Sequence, residues 1–342
     1  MVKKLICLIL CFYTLTAFAS SETSPVITPN ANPQTKDGIG VFSSIEFLWW
    51  KASPDSLRFA TSGVRVQSGS FITSSGKTYS INPSFQPGFR VALGFYPGHD
   101  GWDISAKYTW YHSDYEQNAS DANGNMLPFT LSTAGAFTVN GVTSAKSAWD
   151  LHYNVLDLEL GREIFLSKFL ALRIFASLKG AWINQDWDTK YLSNEVTFNS
   201  GGTLPGEIKS NQDQDSWGVG IRMGLNGTWT FFKGFSIVSD ASFSSVWTDY
   251  NVSRKDVVTQ NGLAPISTAN VRSSPNTAII NVDLLLGLKG AWHLQNDRYY
   301  LTAQVGWENQ LWINYGHFLF LSGSSNGDLS LFGLSAKIGF EF

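Results

Sequence analysis

The residues of this sequence that could do chemistry are charged side chains that alternate with apolar ones. Seven are acidic and seven are basic: Glu46, Asp103, Asp157, Glu159, Asp240, Asp283 and Glu308, against Arg90, Lys107, Arg173, Lys179, Arg222, Lys289 and Lys337. Because successive side chains of a β-strand point to opposite faces, this pattern predicts one charged face and one apolar face. Charges on an enclosed face could line a polar path and set a weak ion selectivity. They could equally pair across the enclosed space and plug it.

The histidines do not form a recognisable catalytic set. They are His99, His112, His152, His293 and His317. A hydrolase would need a histidine beside a carboxylate or a nucleophile. His112 lies near Asp114, and we expect His152 to face the interior beside Asn154, but no nucleophile has a recognisable spacing to either. No cluster of His, Cys or carboxylates indicates a metal site, so we expect no enzymatic activity, no metal and no cofactor.

The strand that best shows the alternating pattern is the last one, from Leu329 to Phe342. Its apolar residues fall on every second position: Phe332, Leu334, Ala336, Ile338, Phe340 and Phe342. A transmembrane barrel strand has this pattern, with its apolar side towards lipid and its polar side towards the lumen. Ile338, Phe340 and Phe342 resemble the assembly signal of bacterial outer-membrane barrels, which implies the barrel-assembly machinery as a partner.

The beginning of the sequence is typical of a secretory signal peptide. Lys3 and Lys4 precede an apolar stretch, and Ala17-Phe18-Ala19 predicts cleavage between Ala19 and Ser20. We therefore divide the chain into a signal peptide (1–19), a flexible periplasmic lead-in (20–39) and a barrel domain (40–342). Both cysteines, Cys7 and Cys11, lie in the signal peptide, so the mature chain is expected to have no disulfide.

Composition and charge exclude several other classes of protein. The formal net charge of −3 has no basic excess that would indicate binding to nucleic acid. No apolar run after the signal peptide is long enough for a transmembrane helix. Aromatic residues are abundant, with 13 Trp, 12 Tyr and 24 Phe, which fits the aromatic girdles of a barrel wall. The tryptophans predicted for the girdles are Trp102, Trp110, Trp149, Trp182, Trp217, Trp229, Trp247, Trp292 and Trp307.

Short turns alternate with longer polar connections, as expected when turns face the periplasm and loops face outside. The turns lie near 97–100, 167–168, 233–234 and 295–297, and the predicted loops are 113–147, 186–214, 248–275 and 314–326. This spacing predicts ten strands, or twelve if 52–83 contains a membrane-spanning hairpin. Trp149 to Val155 is expected to continue an outward face that changes phase at Leu156, which predicts a β-bulge near Val155.

Several segments together resemble one known family. They are 47–52 (FLWWKA), 153–162 (YNVLDLELGR), 172–173 with 179–185 (LR and KGAWINQ), 217–220 (WGVG) and 305–310 (VGWENQ). In this order they resemble the Legionella-type major-outer-membrane-protein-like family, which also has members in environmental chlamydiae. The resemblance spans roughly 41–342 and implies pore-forming outer-membrane proteins without catalytic residues.

These observations predict an all-β fold, namely a single antiparallel transmembrane β-barrel of about 10–12 strands in the outer membrane of a Gram-negative bacterium. We expect a porin-like protein that passively admits small polar solutes and ions, with the fourteen charges lining the pore. The alternative is an adhesin or structural wall protein with a plugged lumen, for which the evidence is the long polar loops. These could equally be solvated loops, one of which folds inward to constrict the pore. Expected partners are outer-membrane lipid and lipopolysaccharide, and the sequence leaves a homo-oligomer open.

Overall fold

The computed structural model describes residues 34–35, 40–55, 57–67, 70–73, 76–98, 101–129, 137–198, 202–319 and 327–342. The predicted signal peptide, its cleavage site at Ala19 and Ser20, and most of the lead-in lie outside these residues. Within the described ranges, no helix is long and apolar enough to cross a membrane.

The described chain is built from β-strands. They are β1 (Val41–Pro54), β2 (Arg58–Thr61), β3 (Val64–Gln67), β4 (Ser70–Thr73), β5 (Thr78–Ser80), β6 (Gln86–Phe95), β7 (Trp102–Ser120), β8 (Leu127–Pro128), β9 (Phe137–Phe165), β10 (Leu170–Phe198), β11 (Thr203–Phe232), β12 (Phe235–Gln260), β13 (Ile266–Ser273), β14 (Asn276–Leu294), β15 (Tyr299–Gly316) and β16 (Gly327–Glu341).

Ten of these strands form a closed antiparallel ring. Their order is β1–β6–β7–β9–β10–β11–β12–β14–β15–β16, and β16 returns to pair with β1 along its length. The remaining strands form a β2–β5–β8 sheet, a β3–β4 hairpin and an edge strand, β13, beside β12. The all-β barrel prediction is confirmed with ten strands, because the hairpin between β1 and β6 does not join the ring.

The two faces of each ring strand have different surroundings. On β10, the outward side chains of Ile174, Leu178 and Trp182 are about half exposed, whereas Ser177 and Lys179 between them are buried. The apolar outward band ends at Trp182, which lies opposite Trp217 on β11. The part of β10 from Leu170 to Trp182, tilted as in other barrels, is long enough to span the roughly 30 Å of a membrane hydrocarbon core.

Short turns close the periplasmic end of the ring, as predicted. The connections are 166–169, 233–234 and 295–298, and a fourth joins Phe95 to Trp102, of which 99–100 lie outside the described residues. Gly234 adopts a φ of 82°, and Gln295, Asn296 and Asp297 also have positive φ. These residue types tolerate the left-handed conformation that tight turns require.

Three of the predicted extracellular loops are wrong, because most of their residues are in strands. The regions 113–147, 186–214 and 248–275 contain the outer ends of β7, β9, β10, β11 and β12, together with β8 and β13. The polar residues of these regions indicated loops. In the structure they are in strands whose outward side chains face water and whose inward side chains, several of them polar, face the ring interior. The fourth predicted loop, 314–326, begins within β15, which ends at Gly316; 317–319 lie outside the strands, and 320–326 are not among the described residues.

The predicted bulge near Val155 is also wrong. Pairing of β9 with β10 runs in unbroken register from Phe165 to Ser144, and pairing with β7 is equally regular. Trp149 and Val155 are buried inside the ring, on the same face as Asp157. The apparent change of phase therefore marks the level at which the interior changes from charged to aromatic.

Candidate functional site: the barrel interior

The candidate site is the interior of the ring, where the charged side chains predicted from the sequence come together. Twelve of them lie in one layer, which we call the ion-pair layer: Glu46, Arg90, Asp103, Lys107, Asp157, Glu159, Arg173, Lys179, Arg222, Asp240, Asp283 and Glu308. All of these except Asp240 form ion pairs. Alternation along the strands brings them inside, and the closed ring brings strands distant in sequence within reach of one another. Their function as pore-lining residues stays a prediction.

One part of the ion-pair layer is centred on Arg90 of β6. Its guanidinium donates to Glu46 on β1 at 3.1 Å and to Glu308 on β15 at 2.8 Å. Glu308 also accepts hydrogen bonds from Gln310 and Ser335. Every oxygen of this carboxylate is therefore occupied, as a buried charge requires.

A second part is centred on Glu159 of β9, which three cations approach. The distances from its carboxylate are 2.8 Å to Lys107 Nζ, 2.7 Å to Arg222 Nη1 and 3.4 Å to Arg173 Nη1. Arg173 also forms a two-point contact with Asp103. This cluster links β7, β9, β10 and β11 through their side chains.

The remaining acids and cations complete the layer. Lys179 lies 3.4 Å from Asp157, and Arg222 Nε lies 3.3 Å from Asp283. Asp240 accepts a hydrogen bond from Asn226 at 2.6 Å. A cavity of about 40 Å³ lies beside these groups, lined by charged side chains together with Thr109, Tyr153, Val155, Leu284, Leu285 and Gln310. It has room for only a few water molecules.

Lys289 and Lys337, the other two predicted residues, face the interior but lie apart from these clusters. In register, Lys337 is opposite Glu46 on β1 and Gln304 on β15, and Lys289 is opposite Gln304 and Ser236. At the periplasmic mouth the lead-in returns to the ring. The amide N–H groups of Gln34 and Thr35 donate to the Glu341 carboxylate at 2.6 and 3.3 Å.

An aromatic layer fills the interior on the extracellular side of the ion pairs, and the sequence reasoning missed it. Its buried members are Trp50, Tyr111, Trp149, Tyr153, Trp187, Tyr191, Tyr250, Trp312 and Tyr315. Trp50, Trp187 and Trp312 have no solvent exposure. Trp187 Nε1 donates to Ser147 Oγ at 2.9 Å, whereas Trp312 Nε1 has no hydrogen-bond partner among the described residues. The sequence signal for this layer is that Trp149 is separated from Asp157 and Glu159 by an even number of positions on the same strand, and therefore lies on the same inward face.

The two layers are joined by direct contacts. Tyr153 Oη donates to Gln310 Oε1 at 2.8 Å, and Gln310 in turn donates to Glu308. The Arg90 guanidinium lies 5.3 Å from the centre of the Trp50 ring, and Lys179 Nζ lies 5.7 Å from that of Trp312. These cation–π distances add attraction to the packing. The ion-pair layer and the aromatic layer are therefore in direct contact across the interior.

Two connections fold into the extracellular mouth above the aromatic layer. In the β1–β6 connection, Leu57 and Phe59 are buried, and Tyr191 donates to the Phe59 carbonyl at 2.7 Å. After β15, Phe318 packs edge-on against Trp187 at 5.4 Å. The sequence predicted that a loop at 113–147, 186–214 or 248–275 could fold inward. Among the described residues, those that do so come from 57–60 and 317–319, and β8 of the predicted loop 113–147 pairs with β2 beside the buried Met126.

Further out, the extended strands form a polar collar, by which we mean the parts of β7 and β9–β12 beyond the Trp182–Trp217 level. Within it Arg254 is buried against Asp256 at 2.7 Å and donates to the Leu319 carbonyl. On the outer face, Lys190 and Lys209 bracket Glu207 and lower the pKa of its carboxyl through hydrogen bonds. The collar is thus stabilised inside by a buried ion pair and outside by exposed ones.

Two sequence-based assignments to faces need correction. His152 does not face the interior; it lies on the outer wall directly opposite His112. Trp149 does not belong to a girdle, because it is buried in the aromatic layer. The other predicted girdle residues whose exposure marks the outer wall are Trp102, Trp182, Trp217, Trp229, Trp247, Trp292 and Trp307.

Comparison with known proteins places this barrel in a family. A family model described as Legionella pneumophila major outer membrane protein precursor matches residues 36–342, nearly the whole chain. The chain belongs to this family. It is accordingly an outer-membrane protein of a Gram-negative bacterium, as the sequence predicted. No curated protein matches it in sequence.

Solved structures with similar folds are outer-membrane barrels at very low sequence identity. The outer membrane protease OmpT from Escherichia coli has 10% identity and a TM-score of 0.37, with 90% of this chain and 97% of that chain covered. The Pseudomonas putida toluene transporter TodX has 10% identity and a TM-score of 0.30, covering 89% and 90%. The translocator domain of the autotransporter NalP from Neisseria meningitidis has 11% identity and a TM-score of 0.28, covering 90% of each chain. At these scores the likenesses carry no argument about function.

Proposed function

We propose that this family member acts as a wall protein of the outer membrane, with a lumen that its own side chains close. The observation that carries the proposal is the burial of the interior. Trp50, Tyr191 and Trp312, from three separate strands, point into the ring and have no solvent exposure. Side chains that line an open channel would be wetted.

The number of strands supports the same conclusion. Barrels of about eight strands are filled by side chains, and aqueous channels belong to about 16–18 strands. A ring of ten strands lies near the filled end of this range. A closed barrel strengthens the membrane without leaking solutes, and its collar projects beyond the lipid, where it could contact other surfaces.

A second candidate is a narrow pore for water and small ions, in keeping with the pore-forming function that the family resemblance implies. The observation that favours it is the polar cavity within the ion-pair layer, lined by Arg90, Lys179 and Asp283. Opening such a pore would require the aromatic layer to rearrange. The balanced interior charges predict only weak ion selectivity if it opens.

Conductance in a planar bilayer distinguishes the two candidates. We expect refolded wild-type protein, shown to be β-structured by circular dichroism, to insert without producing discrete channels. The Trp312→Ala variant should conduct more than wild type, because it removes a large side chain from the aromatic layer. Trp307→Ala, which changes an outward-facing tryptophan of the same strand, is the matched control and should remain silent.

Discrete wild-type channels with a modest reversal potential in a salt gradient would contradict the closed-wall proposal and support the pore. A lipid-bound, folded wild-type protein with no conductance would support the wall. If both Trp variants conducted equally, leakage would reflect damage to the barrel rather than opening of the aromatic layer.

A further inference from the structure

We infer that His112, Asp150 and His152 form a binding site for a late first-row divalent metal ion such as Zn²⁺ on the outer wall of the barrel. The three residues belong to neighbouring strands, β7 and β9. Each offers a ligand atom, and these atoms all lie within 4.8 Å of one another. No spacing in the sequence indicates this site, because the two histidines are brought together only by strand pairing.

Strand register creates the site. His112 is directly opposite His152, and Asp150 lies two residues before His152 on the same face of β9. The imidazole rings are stacked, with centres 4.5 Å apart and planes inclined by 26°. Residues directly opposite on paired strands, and their diagonal neighbours, are close enough to share one ligand.

The spacing of the donor atoms fits one metal ion. His152 Nε2 lies 3.1 Å from Asp150 Oδ1, and His112 Nε2 lies 3.7 Å from Asp150 Oδ2. Ligands about 2.0–2.1 Å from a tetrahedral Zn²⁺ are separated from one another by about 3.3 Å. The two observed distances lie on either side of this value, and all three donor atoms lie within 4.8 Å of one another. Binding would therefore require the stacked imidazole rings to rotate until their nitrogens converge on the ion.

The surroundings favour a cation and leave it accessible. Asp150 is flanked across the sheet by Asp114 on β7 and Asp186 on β10. These carboxylates place further negative charge beside the three ligands. The site lies just above the level of Trp182, which is opposite Asn154, and the His152 side chain is 53% exposed. An ion could therefore enter from water and keep an open coordination position.

The ligand set selects the class of metal. Imidazole nitrogen suits zinc, copper and nickel, whereas magnesium and calcium prefer sites made of oxygen ligands. Two imidazoles and one carboxylate leave a fourth position free, an arrangement found in zinc sites with three protein ligands. The site belongs to the outer wall and is separate from the ion-pair layer, so it is independent of whether the lumen conducts.

The test is Zn²⁺ titration of the folded barrel, purified without a histidine tag, by isothermal calorimetry. We expect one equivalent of Zn²⁺ per chain, and at least about tenfold weaker binding for His112→Gln and for His152→Gln. Adding CoCl₂ should give the visible bands of tetrahedral Co²⁺ in wild type and not in these variants. His293→Gln is the matched control, since it removes a His–Asp pair with a 3.5 Å separation at the periplasmic turn.

Each outcome decides the inference. Loss of affinity in both site variants, with His293→Gln unchanged, supports the site. Absence of saturable Zn²⁺ binding by wild type, or equal binding by wild type and both site variants, would overturn it. Because His112 and His152 face outward above the lipid-facing band, both variants are expected to fold, which heat-modifiable migration in gels verifies.

Discussion

At the scale of single residues, Glu159 connects more of the interior than any other acid of the ion-pair layer described above. Three cations reach its carboxylate, and its side chain is almost entirely buried. Removing one partner from a buried ion pair leaves the other charges uncompensated in a medium that solvates them poorly. The arrangement of the ion-pair layer therefore depends more on the Glu159 carboxylate than the net attraction between this carboxylate and its cations would suggest.

We expect Glu159→Gln to reduce the free energy of unfolding by about 3–5 kcal/mol. Glu116→Gln is the control, because Glu116 pairs with Lys146 at an exposed position and exposed pairs contribute about 0–1 kcal/mol. Urea unfolding in lipid vesicles, followed by tryptophan fluorescence, measures both. Equal losses for the two variants would show that the interior cluster contributes no more than a surface pair.

His317 provides a pH-dependent contact at the extracellular mouth. Its ring lies 4.4 Å from that of Tyr250, and burial lowers the pKa of its imidazole. Since the folded state binds a proton less readily than the unfolded state, this residue's contribution is complete above the ordinary histidine pKa and is lost as pH falls.

Lowering the pH from 7 to 5 should consequently loosen the segment 317–319, and His317→Gln should reduce this dependence. Hydrogen exchange of amides in β12 and after β15 reports the opening. His293→Gln, at the opposite end of the barrel, should retain the wild-type response. An exchange rate in wild type that does not change with pH would contradict the assignment.

At the scale of elements, the β1–β6 connection acts as a cover over an interior that is already packed. Leu57, Phe59 and Ile81 from this connection belong to the same buried cluster as Tyr191. The cover forms its own small sheet with β8 rather than joining the ring. It could therefore be removed without interrupting the ladder of the barrel.

Replacing 57–81 with a short Gly/Ser linker should leave a folded barrel that still does not conduct, because the aromatic layer remains beneath. We expect Trp187 and Tyr191 to become accessible to water, which acrylamide quenching of fluorescence detects. Lys190→Gln, a substitution on the outer face of β10, is the control and should not change quenching. Channels appearing on replacement would show that the connection itself is the seal.

At the scale of the whole molecule, closure of the ring depends on the pairing of the first and last strands. Phe342 exchanges two backbone hydrogen bonds with Val41, at 3.2 and 3.0 Å. The paired register then continues from Phe42–Glu341 to Pro54–Leu329. Closure removes the exposed edges that would otherwise be unsatisfied in lipid.

Deleting Phe342 should lower the amount of folded barrel in the outer membrane, because it removes both closing hydrogen bonds and a residue of the predicted assembly signal. Semi-native electrophoresis of membranes measures the folded fraction. Phe332→Ala, at an outward position of the same strand, is the control for loss of an aromatic ring. Normal assembly after the deletion would contradict the predicted signal.

Much of the fold could be predicted because each ring strand carries its two faces in its own sequence. Alternation in Leu329–Phe342 identified the outward residues, and the exposure of Leu334 and Ile338 agrees with it. The same rule located Arg90, Glu159 and Arg222 inside. It failed at Trp149–Val155, since an aromatic residue can face lipid or a packed interior and hydrophobicity alone does not distinguish the two.

By itself the sequence determined the strand periodicity, the short turns, the outer-membrane family and the parity of the interior charges, because these are local properties of the chain. Only the tertiary structure decided which charges pair, that aromatic side chains fill the lumen, which connection covers it and that His112 meets His152. Each of these depends on strand register and ring closure, which set distances between residues far apart in the chain. The periodic pattern of the sequence shows which residues share a face of a strand, and only closure of the ring determines which residues of other strands that face contacts.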